Sequence, residues 1–200
     1  MASILKVDTI QDQSGNNIIN ENADTITIGA SGDTITVPTG ASLTVPNGGL
    51  TGQNYPAFEA YLSSNFGIVS GAVTKAPLNL VTLDTNSCYD NTTNYRFTPT
   101  VAGKYYVYGL TSVYAGSSSR IEIHWALIYK NGVQFLAGQN DYRDNNSRIS
   151  TSNVSGIIDM NGTTDYIELY VSAQFSAGSP FLLGQATYKR TLLGAYRIGS

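Results

Sequence analysis

The sequence predicts an all-β protein, a short repetitive β segment followed by a β-rich head, and three observations carry that prediction. Short runs rich in Val, Ile, Thr and Tyr are bounded by clusters of Gly, Asn, Asp and Ser, the pattern of strands and their turns. No segment sustains the apolar period of about 3.6 residues that a helix needs. Charged residues make up 12% of the 200 residues against a usual share of about 25%, which is the texture of an externally exposed β protein. The length allows one ordinary domain of about 100–150 residues plus an appendage. At 42% hydrophobic the chain can bury a sizeable core.

Charge and cysteine content narrow the function classes. A net charge of −3 with scattered basic residues leaves no electrostatic footprint for nucleic acid. Met1-Ala2-Ser3-Ile4-Leu5-Lys6 lacks the apolar stretch of a signal peptide, and no run of about 18 apolar residues exists to span a bilayer. The expectation is a chain made and kept soluble, without membrane insertion. Cys88 is the single cysteine, so packing or oligomerisation must supply what a disulfide framework would.

Along the chain, residues 1–20 form a first segment, and residues 21–54 a repetitive β stalk and joint. No aromatic residue precedes Tyr55. Asp24-Thr25-Ile26-Thr27-Ile28-Gly29 returns as Asp33-Thr34-Ile35-Thr36-Val37-Pro38 and, degraded, as Ser42-Leu43-Thr44-Val45-Pro46. Each unit reads as a short alternating strand closed by a Gly or Pro turn. One such strand offers too few aliphatic side chains to offset about 1–2 kcal/mol of backbone ordering per residue. The repeat therefore needs neighbours, which in a fibre are the same segment of other chains; a disordered Thr/Gly linker is the competing reading. Asn47 to Asn54 is the Gly/Asn-rich joint.

Residues 55–200 form the head, with strands expected over Tyr105 to Tyr114, Ile121 to Tyr129, Ile157 to Met160, Tyr166 to Val171 and Thr191 to Ile198. Lys130-Asn131-Gly132-Val133 and Met160-Asn161-Gly162-Thr163 both carry the Asn-Gly signal of a tight hairpin. Several strands are apolar on both faces. Tyr105 and Val107 alternate with Tyr106, Tyr108 and Leu110, while Ile121, Ile123, Trp125, Leu127 and Tyr129 alternate with Glu122, His124, Ala126, Ile128 and Lys130. One face fills a sandwich, and the economical cover for the other is a second copy of the chain.

Catalytic chemistry finds little support. His124 is the only histidine, which rules out a His-rich metal site, and without a Gly-x-Ser-x-Gly elbow a structural or interface role is expected for it. Cys88, beside Tyr89, reads as a buried small side chain. Glu122 and Glu168 are the carboxylates considered for polysaccharide cleavage, which depends on their separation. The densest polar cluster, Asp141-Tyr142-Arg143-Asp144-Asn145, is the candidate binding site. Tyr142 suits stacking on a sugar, Arg143 suits a carboxylate or phosphate, and the acidic pair suits sugar hydroxyls or Ca²⁺. A solvated hairpin loop is the competing reading. Ala115 to Arg120 is a second exposed candidate, with a flexible turn as the competing reading. No cofactor is expected beyond that Ca²⁺, and no metal site is assigned.

The stretch Tyr89-Asp90-Asn91-Thr92-Thr93-Asn94-Tyr95-Arg96-Phe97-Thr98-Pro99-Thr100-Val101-Ala102-Gly103-Lys104-Tyr105-Tyr106-Val107 resembles the signature of the complement globular-head and tumour-necrosis-factor jelly-roll family. Pro56 to Ala60 resembles its opening strand, Tyr129 to Gly132 its central hairpin, Gly156 to Leu169 a later hairpin and Thr191 to Ala195 its closing strand. Val107 stands where the family prefers Phe, and two Thr residues separate Gly162 from Asp165 where Gly and Asp are normally adjacent. The resemblance, over about residues 55–200, implies a ten-stranded jelly-roll sandwich that forms homotrimers and binds through apical or lateral loops.

Leu5-Lys6-Val7-Asp8-Thr9-Ile10-Gln11-Asp12-Gln13-Ser14-Gly15-Asn16-Asn17-Ile18-Ile19-Asn20 and the repeat after it resemble the beginning of bacteriophage tail-fibre and appendage proteins, marine and cyanobacterial ones above all. The implied function is a non-enzymatic virion fibre assembled in the bacterial cytoplasm. Its residues 1–20 would attach to the phage tail or virion, and its trimeric head would bind a host-surface glycan or protein. A polysaccharide-cleaving tail spike and a purely structural spacer or capsid decoration are the alternatives.

Overall fold

The computed structural model describes residues 9–11, 13–15, 17–22, 25–29, 32–43, 55–116 and 120–199. The chain divides into two compact units, Met1–Thr51 and Gly52–Ser200. In the first, β1 (Thr9–Gln11), β2 (Asn17–Asn22) and β3 (Thr25–Ile28) form an antiparallel sheet in that order. Ile19 pairs with Ile10 on one side and Ile28 on the other. All three are exposed, at 40% for Ile10, 38% for Ile19 and 54% for Ile28.

The first copy of the repeat supplies β3, but the second copy, Asp33 to Pro38, forms no strand. Its Ile35 and Val37 are exposed. An isolated alternating segment has no ladder to join, so the strand expected there is absent from the single chain. The third copy lies mostly outside the described residues.

The second unit holds β4 (Ala57–Tyr61), β5 (Phe66–Gly67), β6 (Val73–Lys75), β7 (Leu80–Asp84), β8 (Tyr89–Asp90), β9 (Arg96–Phe97), β10 (Gly103–Tyr114), β11 (Ile121–Lys130), β12 (Val133–Asp141), β13 (Ile149–Met160), β14 (Ile167–Phe175), β15 (Phe181–Leu182) and β16 (Leu192–Gly199). These thirteen described strands, four of them two residues long, replace the ten expected. One sheet runs β5-β15-β10-β16-β4-β7, with β13 also paired to β10; the other runs β12-β11-β14-β9-β8, with β6 also paired to β14. All the pairings are antiparallel. No helix among the described residues is long and apolar enough to cross a membrane.

Side chains of both sheets form one core. Its aromatic centre is Phe58, stacked on Phe97 at 4.3 Å and on Tyr89 at 4.9 Å between ring centroids, with Tyr105 edge-on to Phe97 at 5.9 Å. Both tyrosines satisfy their hydroxyls on backbone carbonyls, Tyr89 on Leu78 and Tyr105 on Val101, as buried phenols must. Tyr105 and Val107 point inward, leaving Tyr106, Tyr108 and Leu110 half-buried on the outer face.

On β11 the inward set is His124, Ala126 and Ile128, all 0% exposed, while Trp125 and Tyr129 lie half-buried on the outside. A register irregularity between Ile121 and Ile123 lets Ile121 enter the core as well. The more apolar face of the strand is thus the outer one.

Asn131 and Gly132 close the β11–β12 hairpin with φ of 53° and 78°, as a tight hairpin turn of mirror type requires. The second Asn-Gly pair does not make a hairpin. β13 and β14 belong to different sheets, and the Asn161 side-chain oxygen accepts from the backbone N–H groups of Thr163, Thr164 and Asp165. That carboxamide caps a crossover rather than a two-residue turn. β13 also begins at Ile149, eight residues before the expected Ile157, because its inward positions there are Ser150 and Ser152.

Candidate functional site

The loop singled out by sequence follows β12 at one end of the sandwich. Its backbone is fixed by two hydrogen bonds, Tyr142 N–H to the Glu122 carbonyl (2.7 Å) and Asn145 N–H to the Tyr142 carbonyl (2.9 Å). Asp141 to Asn145 line a shallow depression of about 570 Å³. Asp141, Arg143, Asp144 and Asn145 are exposed, whereas Tyr142 is half-buried.

Three of these side chains are committed within the molecule. The Arg143 guanidinium forms a forked ion pair with Asp141, its Nε 3.0 Å from each carboxylate oxygen and its Nη2 on Oδ2. The contact holds the Asp141 carboxyl below its ordinary range and raises Arg143. Tyr142 packs against the core, and its hydroxyl accepts a hydrogen bond from Ser150 Oγ at 3.1 Å. Tyr142 is thus only partly available to a ligand, because the phenol has both a polar partner and apolar contacts within the chain. Asp141 and Asp144 are the loop's only carboxylates, and no group of three or more metal-suited side chains occurs among the described residues.

Beneath the loop lies a polar layer whose partners sequence reasoning did not connect. His124 Nε2 sits 2.9 Å from Thr111 Oγ1, and its Nδ1 sits 2.9 Å from Ser150 Oγ. Asn140 donates from Nδ2 to Ser150 Oγ (3.2 Å) and to the Thr151 carbonyl (2.8 Å). These residues come from β10, β11, β12 and β13, so the layer ties the two sheets together. Burial lowers the His124 pKa to about 4, since charge is unwelcome in a dry site. The ring is neutral at pH 7 and has a structural place.

The remaining sequence candidates separate. Glu168 pairs in register with Tyr129, seven positions along β11 from Glu122, which at about 3.3 Å per residue separates the two carboxylates by roughly 23 Å. Paired glycosidase carboxylates stand about 5–10 Å apart, so these two cannot serve as one. Glu168 is instead a buried partner of Lys75 at 2.6 Å and accepts from the Tyr170 hydroxyl. Cys88 is buried, its N–H donating to Asp84 Oδ1 at 2.8 Å. Of the second candidate, Ala115 is not exposed but fully buried in the core, Ser117, Ser118 and Ser119 lie outside the described residues, and Arg120 is held by backbone bonds to Ser147 and Ser176.

A broader feature is the outer face of the sheet built on β10. Tyr106 stacks with Tyr108 at 6.3 Å and tilts against Tyr196 at 5.6 Å. A groove of about 430 Å³ runs between Tyr106, Tyr108, Leu110, Asn153 and Leu192. Its neighbouring charge is neutralised in place: Glu59 accepts from the Tyr108 hydroxyl at 2.9 Å and from Lys189. Burial alone would raise the Glu59 carboxyl, but the bonds from Lys189 and Tyr108 outweigh it and leave the pKa lowered. Tyr108 is raised by burial and by that carboxylate.

No protein-family model matches the chain, and no curated protein matches it in sequence. Among solved structures, murine APRIL is similar at 11% identity and a TM-score of 0.49, covering 71% of this chain and 98% of that one. The globular domain of zebrafish complement 1qA protein is similar at 12% identity and a TM-score of 0.48, covering 72% and 96%. Eiger TNF from S. frugiperda is similar at 11% identity and a TM-score of 0.46, covering 72% and 92%.

Proposed function

We propose that the chain is a non-enzymatic bacteriophage fibre protein whose head is a jelly roll that trimerises through the tyrosine-bearing face of the β10 sheet and adsorbs to a host-surface glycan. The observation that carries the reading is that face: Tyr106, Tyr108, Leu110, Leu192 and Tyr196 on one side of one sheet, with the adjacent carboxylates Glu59 and Asp159 paired to Lys189 and Lys104. A second and a third copy would cover it without burying an unpaired charge. The exposed Ile10, Ile26, Ile28 and Ile35 of the first unit favour the same arrangement, since copies of that segment held in register would cover one another. The virion role rests on the resemblance of the N-terminal residues to tail-fibre beginnings. Linked copies suit a glycan receptor, because several weak sites gain avidity without new contacts.

Light scattering of the full chain is expected to give about three times the 21.4 kDa chain mass. Tyr108→Glu is expected to give monomers, because burying an unpaired charge costs several kcal/mol. Labelled protein is expected to adsorb to susceptible bacterial cells. A folded monomeric parent, or a trimeric Tyr108→Glu variant, overturns the assembly reading, and a parent that adsorbs to no cell overturns the receptor reading.

A further inference from the structure

A second concavity of this unit shares no lining residue with the 141–145 loop. It is a cleft of about 700 Å³ whose lining includes Ser63, Asn65, Tyr114, Arg148, Gln185 and Arg190, within the range of about 300–1,000 Å³ typical of small-ligand sites. Ser63 and Asn65 follow β4, Tyr114 ends β10, Arg148 precedes β13, Gln185 follows β15 and Arg190 precedes β16. The register of these strands gathers all of them at one end of the sheet. That is the end opposite Ala57, where the chain enters β4.

The cleft is built rather than incidental. Asn65 Oδ1 accepts from Gly184 N–H at 3.2 Å, and Gln185 N–H donates to the Leu62 carbonyl at 3.0 Å. A Cβ on Gly184 would stand 2.2 Å from the Ser64 carbonyl oxygen, so only glycine lets the two loops close on each other here. Arg148 is oriented by Tyr114, donating from Nη2 to the phenol at 2.7 Å with its Cζ 5.2 Å from the ring centroid. A guanidinium held in place in this way loses less entropy when it meets a ligand.

The charge of the cleft is of one sign. Its lining holds two arginines and no acidic residue, although the chain as a whole carries −3. Among the described residues no carboxylate pairs with Arg148 or Arg190, in contrast to Arg143. Two guanidinium forks beside amide and hydroxyl groups are the donor set for an oxyanion carried on a polyhydroxylated ring, and Ile149 and Leu183 give that ring an apolar wall.

We infer that this cleft binds an acidic saccharide, with Arg148 and Arg190 clamping its carboxylate, sulfate or phosphate group and Ser63, Asn65 and Gln185 meeting its hydroxyls. The inference deepens the glycan-receptor reading, on which it rests for the choice of saccharide, and places the ionic contact at the cleft instead of the 141–145 loop.

The test titrates the full-length protein by calorimetry with four probes: an oligogalacturonate, a sulfated oligosaccharide of equal length, a neutral glucan oligosaccharide and inorganic sulfate. One or both acidic oligosaccharides bind, which identifies the anion, and the neutral oligosaccharide binds at least about tenfold more weakly. Arg190→Gln and Arg148→Gln each weaken the acidic ligand by about tenfold or more, Arg190→Lys weakens it less, and an Arg143→Ala control does not. Urea midpoints check that the Gln variants remain folded, and Arg190, which is exposed, serves alone if Arg148→Gln unfolds. Equal affinity for the neutral oligosaccharide, binding of inorganic sulfate as tight as that of the sugars, or an unchanged Kd in Arg190→Gln overturns the inference. Cell adsorption of the parent is scored separately: its absence removes the receptor reading, while the titration still judges the cleft.

Discussion

Acid should destabilise the head through His124, and the size of the effect follows from its burial. The ring is 0% exposed, and its pKa in the folded chain is about 4 against an ordinary 6.5. Between those two values the unfolded chain takes up a proton that the folded chain refuses. The unfolded state thus binds more protons, and stability falls as pH drops from about 6.5 to about 4. At about 1.4 kcal/mol per pKa unit the loss over that window is about 3 kcal/mol, with no further loss from this group below it. The carboxyls of Glu59, Asp90, Asp141 and Asp165 are all held below their ordinary range, so their contributions fade only at the acid end. Between about pH 6.5 and pH 5 the slope belongs to His124. Urea unfolding at fixed protein concentration, followed by fluorescence of the single tryptophan, Trp125, measures it. His124→Gln keeps a polar group in the layer and removes the titration, so that variant should be less stable at pH 7 and flat down to about pH 5. A parent whose stability does not change over this range, or a variant that keeps the parent's slope, would refute the reasoning.

Other substitutions probe the packing. Gly138→Ala should cost about 3 kcal/mol or more, because the added Cβ would meet the Asn153 carbonyl oxygen at 1.9 Å; thermal unfolding reads it. Lys75→Met should cost about 3 kcal/mol in a denaturant titration, since it strands the Glu168 carboxylate, whose side chain is only 4% exposed, and the double variant Lys75→Met/Glu168→Leu should recover much of that loss. Within the 141–145 loop, Arg143→Ala should change stability by less than about 0.5 kcal/mol while Tyr142→Ala costs about 2 kcal/mol, because one side chain is exposed and its neighbour packs against the core. Equal effects of the two would mean that Tyr142 is not anchored.

What the sequence disclosed was what local chemistry decides. Asn131-Gly132 specified its hairpin because the left-handed backbone it needs is a property of those two residues. The same dipeptide at Asn161-Gly162 misled, because the Asn161 carboxamide bonds forward to Thr163, Thr164 and Asp165 and turns the chain toward the other sheet. The first half of β13 was hidden by Ser150 and Ser152, inward residues that an apolar-alternation criterion cannot count. A structural or interface role for His124 was legible, but its partners Thr111 and Ser150 lie 13 and 26 residues away and meet it only through topology. The cleft around Arg148 and Arg190 was invisible for the same reason, being assembled from loops between residues 63 and 190. The loop at 141–145 was found by its density of polar groups, a signal that does not reveal how many of those groups are already engaged with each other.

The close approach at Gly138 bears on which edges of the two sheets stay open. β12 ends the order of its sheet, and β13 pairs only with β10 in the other. Strands in those positions ordinarily present an unsatisfied row of N–H and C=O groups that a foreign strand can join. Here the two borders lie against each other, with the Gly138 backbone beside the Asn153 carbonyl and Asn140 donating to the Thr151 carbonyl at 2.8 Å. The flank is thereby closed to strand addition. Contacts between copies of a chain that carries exposed tyrosines and isoleucines would then fall to side chains along this flank, and not to backbone pairing, which has no natural limit.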